Sequence, residues 1–333
     1  MDLPRIKEAG LRGGIFAVFI DALPEENGEE EIGSSYLQGH KRQTGPGFPL
    51  PEPPIDADLA LTASLEVLSR AFRDERAAEG QIKIVRTKSD LQSALDEERL
   101  AVILHLEGCE AVDADLQNLE VLYQAGVRSL GICWSRPNIF GFGAPFAYGM
   151  SPDLGPGLSR AGKSLVSFCN EQGILVDLAH LNAAGFFDAV RLSSKPVAVS
   201  HTAAHALCPS VRNLTDEQLD KIAENGGLVG VTFHVPDLLG PRNECASSIR
   251  PGAVITPMQA IAAHINYIGG RIGFEHVALG SDFDGCTIPE EMGDVRGLKK
   301  LAAELAGIGL SAENIEMVCF GNWQRLLKEI LPL

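Results

Sequence analysis

Short apolar runs recur along the chain, and most are followed by a stretch with helical spacing. Gly14–Asp21 (GIFAVFID), Leu100–Gly108 (LAVILHLEG), Val127–Trp134 (VRSLGICW), Leu175–His180 (LVDLAH), Val197–His201 (VAVSH), Gly227–Val235 (GLVGVTFHV) and Val277–Gly285 (VALGSDFDG) read as seven strong strands. Ile82–Arg86 reads as a minor one. The apolar character runs on through consecutive positions instead of alternating, which marks parallel strands covered on both faces.

Between the strands, Asp2–Ala9, Asp56–Glu79, Asp115–Ala125, Ser159–Gln172, Thr215–Asn225 and Pro257–Ile268 have the periodicity and end signals of helices. Thr215 with Gln218 makes a capping box. Pro257 follows Thr256 at a helix start. Two further helical segments, Val295–Ala306 and Ala312–Ile330, close the chain. Gly45–Pro54 (GPGFPLPEPP) and Asn138–Pro156 read as loops. Regular alternation of strand and helix predicts a parallel sheet with helices outside. No linker divides residues 1–333, so the expectation is a single α/β domain, a (β/α)8 TIM-type barrel. The chain opens on a helix with no strand before it, so the first strand of the eight is lacking. No glycine-rich phosphate loop follows any strand, which counts against a doubly wound nucleotide-binding sheet.

Composition narrows the function. At 45% hydrophobic residues the chain can bury a large core, and its net charge of −16 argues against nucleic acid or an anionic membrane as partner. Seven scattered cysteines without a CxxC pair fit a reducing, cytoplasmic setting. No apolar run is long enough for a membrane span, and MDLPRIKEAG reads as neither a signal nor a transit peptide.

The chemistry stands at the strand ends, where such a barrel keeps its active site. His180 and His201 end successive strands, and two imidazoles so placed can converge on one metal. Glu107 ends another strand with a carboxylate that can bridge two cations. Asp282 and Asp284 are two acids two residues apart, one of which could take a proton from metal-bound water. Asp284 reads better as a turn residue. Arg212, beside Asn213, could hold a substrate carboxylate with its guanidinium fork. His105 reads as structural, turned away from Glu107 or packed in the barrel. His205 could support a ligand from behind. His40, His264 and His276 read as surface or packing residues.

LHLEG, LVDLAH, VSHTAAHALC, RN and LGSDFDG, in this order and spacing, resemble the membrane (renal) dipeptidase family and its bacterial relatives, among the amidohydrolase-like metal-dependent barrels. AGVRSLGICW, GLSRAGKSLVSFCNEQGILVDLAH and FGNWQRLLKEI extend the resemblance over nearly the whole chain. It implies a zinc-dependent dipeptidase, often one that accepts a C-terminal D-residue. Glu107 would bridge two zinc ions, and His180 and His201 would complete the second zinc site. Arg212 would bind the terminal carboxylate of the dipeptide substrate, and Asp282 would handle protons. His234 stands where the family commonly has a tyrosine beside the substrate, and Trp134 where many members have a histidine that stabilises the oxyanion. A homodimer is a family-level expectation. The family's first strand ends in a DGHND-type motif whose histidine and aspartate bind the first zinc. That motif is not in this chain, so one zinc site is fully represented, and the expectation is that the natural chain starts upstream of Met1. The other readings of the residues are another amidohydrolase-type metal hydrolase, for which Arg212 would be unnecessary, and a degenerate peptide-binding barrel.

Overall fold

The structure, a computed structural model, describes residues 1–20, 54–252 and 254–333. Most of the Gly45–Pro54 loop, and His40, lie outside the described residues. Eight parallel strands form one curled sheet: β1 (Gly13–Phe19), β2 (Ile82–Ile84), β3 (Leu100–Glu107), β4 (Val127–Gly131), β5 (Leu175–Asp177), β6 (Ala198–Thr202), β7 (Leu228–Thr232) and β8 (Val277–Gly280). The order is β1-β3-β4-β5-β6-β7-β8, with β2 paired to the start of β3. Helices cover its outer face. No ladder joins β1 to β8 among the described residues, so the barrel is open along that seam. The expected α/β architecture, a parallel sheet curled toward a barrel with helices outside, is the observed one.

Alternation along β3 explains how the core divides. Val102, Leu104 and Leu106 pack with the helices in the larger buried cluster. Ala101 and Ile103 point into the barrel, where they meet Leu175, Ala198, Leu228 and Ala278. The C-terminal helix Asn322–Ile330 closes this lower end with Leu326, Leu327 and Ile330, and the Trp323 indole donates to the Leu279 carbonyl at 3.0 Å. Apolar residues thus fill the bottom of the barrel and leave its C-terminal end to polar side chains.

Local signals place most helices. The Asp2 side chain caps Leu3–Ala9, and Gly10 ends it with φ of 81°. The capping boxes of Thr215 with Gln218 and of Thr256 with Gln259 are both formed. Pro257–Ile272 runs past the expected stop at Ile268, through Gly269 and Gly270. Gly269 is required there, because a Cβ would come within 2.4 Å of the Phe274 ring. The sequence reading has no helix at Lys88–Asp96, although Thr87 caps it. Strands β4, β5 and β8 stop earlier than expected because the chain turns at their ends: His180 and Asp282 are in loops, with φ of 66° and 52°.

His264 has no exposure and is wired by both ring nitrogens: the Ala204 N–H reaches Nδ1 at 3.0 Å and Nε2 faces the Leu238 carbonyl at 3.0 Å. Nδ1 must accept from Ala204, so a second ring proton would have no place. Burial lowers its pKa from 6.5 to about 4. The unfolded ring gains its proton first, so this stabilisation is complete above about pH 6.5 and is lost as pH falls toward 4. We expect chemical-denaturation stability to fall by about 3 kcal/mol from this group across that window. His264→Gln should be less stable at neutral pH and show a correspondingly shallower acid slope; an unchanged slope would remove the assignment.

Candidate metal centre

Glu107, His180 and His201 converge at the C-terminal end of the barrel. His180 Nε2 and His201 Nε2 are 2.8 Å apart, and Glu107 Oε1 lies 3.2 Å from the first and 3.6 Å from the second. Among the described residues this is the one group of three or more histidine, cysteine or acidic side chains close enough to hold an ion. Each comes from a different unit: Glu107 ends β3, His180 follows β5, and His201 is in β6. Two imidazole nitrogens and a carboxylate oxygen form the three-ligand set of a catalytic site for a borderline-soft cation. Burial lowers the pKa of both rings, which keeps them in the neutral, coordinating form. Burial also raises the Glu107 carboxyl, helped by the nearby acids Asp282 and Asp177, while Arg212 opposes the shift. A cation beside Glu107 would relieve that cost.

Backbone irregularities aim the ligands. His180 takes a left-handed φ of 66°, a conformation that costs a non-glycine residue about 1–3 kcal/mol. In β6 the ladder slips: Val199 pairs Val229, but Thr202 pairs Val231, so Ser200 and His201 together oppose Gly230. The bulge brings neighbouring side chains to one side, and Ser200 Oγ lies 2.8 Å from His201 Nδ1. The Ser200 carbonyl then enters space that a side chain on β7 or β8 would fill. A Cβ on Gly230 would sit 2.0 Å from it and one on Gly280 2.1 Å. His180 Nδ1 has its own serine, Ser135 Oγ, at 2.8 Å.

A cavity of about 1120 Å³ opens between β1 and β8 and reaches Glu107, His180, His201, Trp134 and Asp282. Trp134 packs on the His180 ring with centroids 5.5 Å apart and on Phe19 at 5.1 Å, and its ring forms a wall of this cavity. Arg212 is 6% exposed, and its NH2 group donates to the His201 carbonyl at 3.4 Å. Its Nε is buried with no hydrogen-bond partner among the described residues. His234 sits deeper, outside the cavity lining, with Nδ1 2.8 Å from Asp237 Oδ2. Asp237 also accepts from the Ser210 hydroxyl at 2.6 Å, on the loop that carries Arg212. Burial works to raise the Asp237 carboxyl, but His234, Arg212 and Ser210 hold it down at about 2. His105 packs inside the barrel on the same face as Glu107, not turned away from it, with Nδ1 2.9 Å from Ser129 Oγ. His205 supports no ligand; its Nε2 lies 3.2 Å from the Met150 carbonyl.

The sequence reading did not single out Asp177, Ser200, Ser135 or Asp237, the groups that touch the site histidines from behind. A signal for two of them was available: LVDLAH and VSH each place a polar residue inside an apolar strand.

The sequence profile described as "Membrane dipeptidase (Peptidase family M19)" matches residues 1–332. An uncharacterized protein in the pqqA 5′ region of Klebsiella pneumoniae is 37% identical over 251 residues, covering 75% of this chain and 90% of that protein. Dipeptidase aclJ of Aspergillus oryzae is 32% identical over 70% of this chain and 52% of its own length. Among solved structures, the metallo peptidase from Rhodobacter sphaeroides, liganded with a phosphinate mimic of the dipeptide L-Ala-D-Ala, superposes with a TM-score of 0.88. It has 38% identity and covers 99% of this chain and 90% of its own. The dipeptidase AC has a TM-score of 0.85 and 38% identity, covering 100% and 90%.

The bulge requires glycine on its neighbour. Gly230→Ala should destabilise the fold by about 1–3 kcal/mol, the usual cost of overpacking, and should also lower metal retention because Ser200 and His201 must move. Denaturation midpoint and metal content of the purified variant check this; full stability and full metal content together would show that the bulge has room to spare.

Proposed function

The chain belongs to the membrane dipeptidase family of metallopeptidases, and from that premise we propose that it hydrolyses dipeptides, including those with a C-terminal D-residue, at a zinc site held by Glu107, His180 and His201. The observation that carries the proposal is the convergence of these three donors within 3.6 Å of one another beside a buried, partly unsatisfied arginine. The D-residue is supported by the ligand of the Rhodobacter sphaeroides relative, a mimic of L-Ala-D-Ala.

When bound, a zinc ion at these donors would supply a Lewis acid and, from water, a nucleophile available at neutral pH. Arg212, whose Nε is buried without a partner among the described residues and which stands outside the cavity lining, would bind the substrate's terminal carboxylate with its guanidinium and so orient the scissile bond. Asp282, on the cavity wall with Glu107 and His201, accepts the proton lost by the attacking water on a carboxylate oxygen and delivers it to the departing amine nitrogen. Trp134, with Phe19 and Phe146 against it, excludes water from the His180 side. His234, fixed by Asp237, holds the Arg212 loop in place through Ser210. The scattered cysteines support a cytoplasmic setting, and no helix of the described residues is long and apolar enough to cross a membrane.

Two experiments test this. His201→Ala should lose the zinc of the purified protein; equal zinc in variant and parent would refute the ligand assignment. In the zinc-loaded enzyme, Arg212→Ala should weaken kcat/KM for dipeptides far more than for their C-terminal amides. A charge-assisted bond is worth about 1.5–3 kcal/mol, so the difference should be roughly 10- to 150-fold. Equal losses on both substrates would take Arg212 out of the substrate site.

A further inference from the structure

The proton order along one buried chain of side chains follows from counting donors and acceptors. Asp177 is 1% exposed, and its carboxylate meets two backbone N–H groups, one hydroxyl and, at 3.6 Å from Oδ2, the His105 Nε2. Its Oδ1 accepts the backbone N–H of Ala179 at 3.0 Å and of Ser200 at 2.8 Å, and its Oδ2 accepts the Ser200 hydroxyl at 2.5 Å. An ionised carboxylate can only accept, so the single hydroxyl hydrogen of Ser200 is committed to it. The same oxygen lies 2.8 Å from His201 Nδ1, where it has only a lone pair left to offer. His201 must therefore carry its hydrogen on Nδ1. Its Nε2 is bare, and it faces His180 Nε2 and Glu107 Oε1.

We infer that Asp177 and Ser200 are positioning residues that lock His201 in the Nδ1–H tautomer and hold its Nε2 lone pair open toward the metal. The inference rests on the metallopeptidase reading above. The β6 bulge is what makes the relay possible, because in a regular strand Ser200 and His201 would point to opposite faces. His180 is treated differently. Its Nδ1 meets Ser135, and no carboxylate stands behind that hydroxyl among the described residues, so Ser135 can donate or accept. His201 is the preset ligand and His180 the adaptable one.

Asp177→Asn tests the order of protons and not merely the presence of the chain. The asparagine Oδ1 can still accept both backbone N–H groups, so β5 and β6 stay joined. Its Nδ2 would donate to the Ser200 oxygen, Ser200 would turn its hydrogen to His201 Nδ1, and the ring hydrogen would move to Nε2, where it blocks the metal. Removing the hydroxyl as well should free Nδ1 to be protonated again. Zinc affinity, measured by competition with a chromophoric chelator, should fall about 10- to 100-fold in Ser200→Ala, the usual effect of losing a group behind a ligand. It should fall further in Asp177→Asn and return to the Ser200→Ala level in the double variant. A purely structural role predicts instead that the double variant is the weakest of the three.

Imidazole ¹⁵N shifts of the metal-free protein, assigned with His201→Ala, give a readout independent of zinc. The parent should show His201 protonated at Nδ1 and Asp177→Asn should show it at Nε2. Nε2 protonation in the parent, or a double variant weaker than Asp177→Asn, would overturn the inference. If Asp177→Asn does not fold, the parent spectrum together with the Ser200→Ala affinity decides. A parent with the assigned tautomer that binds no zinc would overturn the metallopeptidase reading and leave the relay standing.

Discussion

A carboxylate at the centre of a barrel must be given donors, or its burial costs more than the fold can absorb. Asp177 meets that demand at the weakest joint in the sheet. β5 and β6 share a single ladder pair, Asp177 with Ala198. The Asp177 side chain takes up the backbone N–H groups of Ala179 and Ser200 that a longer ladder would have engaged. The same oxygens draw in the Ser200 hydroxyl, and through it the His201 ring. One buried charge thus joins two strands, positions a bulge and orients a metal ligand. Gly230 and Gly280 are the counterpart on β7 and β8, where only the absence of a Cβ admits the Ser200 carbonyl.

The barrel is divided by polarity along its length. Its lower end is lined by aliphatic side chains and backed by the C-terminal helix. Its upper end is held by hydrogen bonds between units, Ser135 to His180 and Ser210 to Asp237, and within them, Ser200 to His201 and His234 to Asp237. The seam between β1 and β8 gives the cavity its access to the ligands. It also leaves two strand edges without a partner among the described residues, a state that other proteins cover or blunt.

Much of this was legible in the chain itself, because continuous apolar runs and their caps are local signals. The parallel sheet and the strand ends carrying Glu107, His180 and His201 follow from sequence order. Periodicity could not say where strands end. His180 and Asp282 leave their strands through left-handed turns, a conformation that no apolar pattern encodes. The extension of Pro257–Ile272 through two glycines depends on Phe274, which packs where a side chain on Gly269 would have been.

Sequence alone determined which residue types stand at the strand ends, since that depends only on chain order and on parallel strands running the same way. Tertiary structure decided how they are used. His105 and Glu107 share a face of β3, yet His105 stands between Ser129 and Asp177 while Glu107 meets the two histidines. Asp177 and Ser200 look like isolated polar residues in apolar strands until the β6 bulge brings them to His201. Distances of about 3 Å between residues more than twenty positions apart are set by packing and ladder register, and no local property of the chain carries that information.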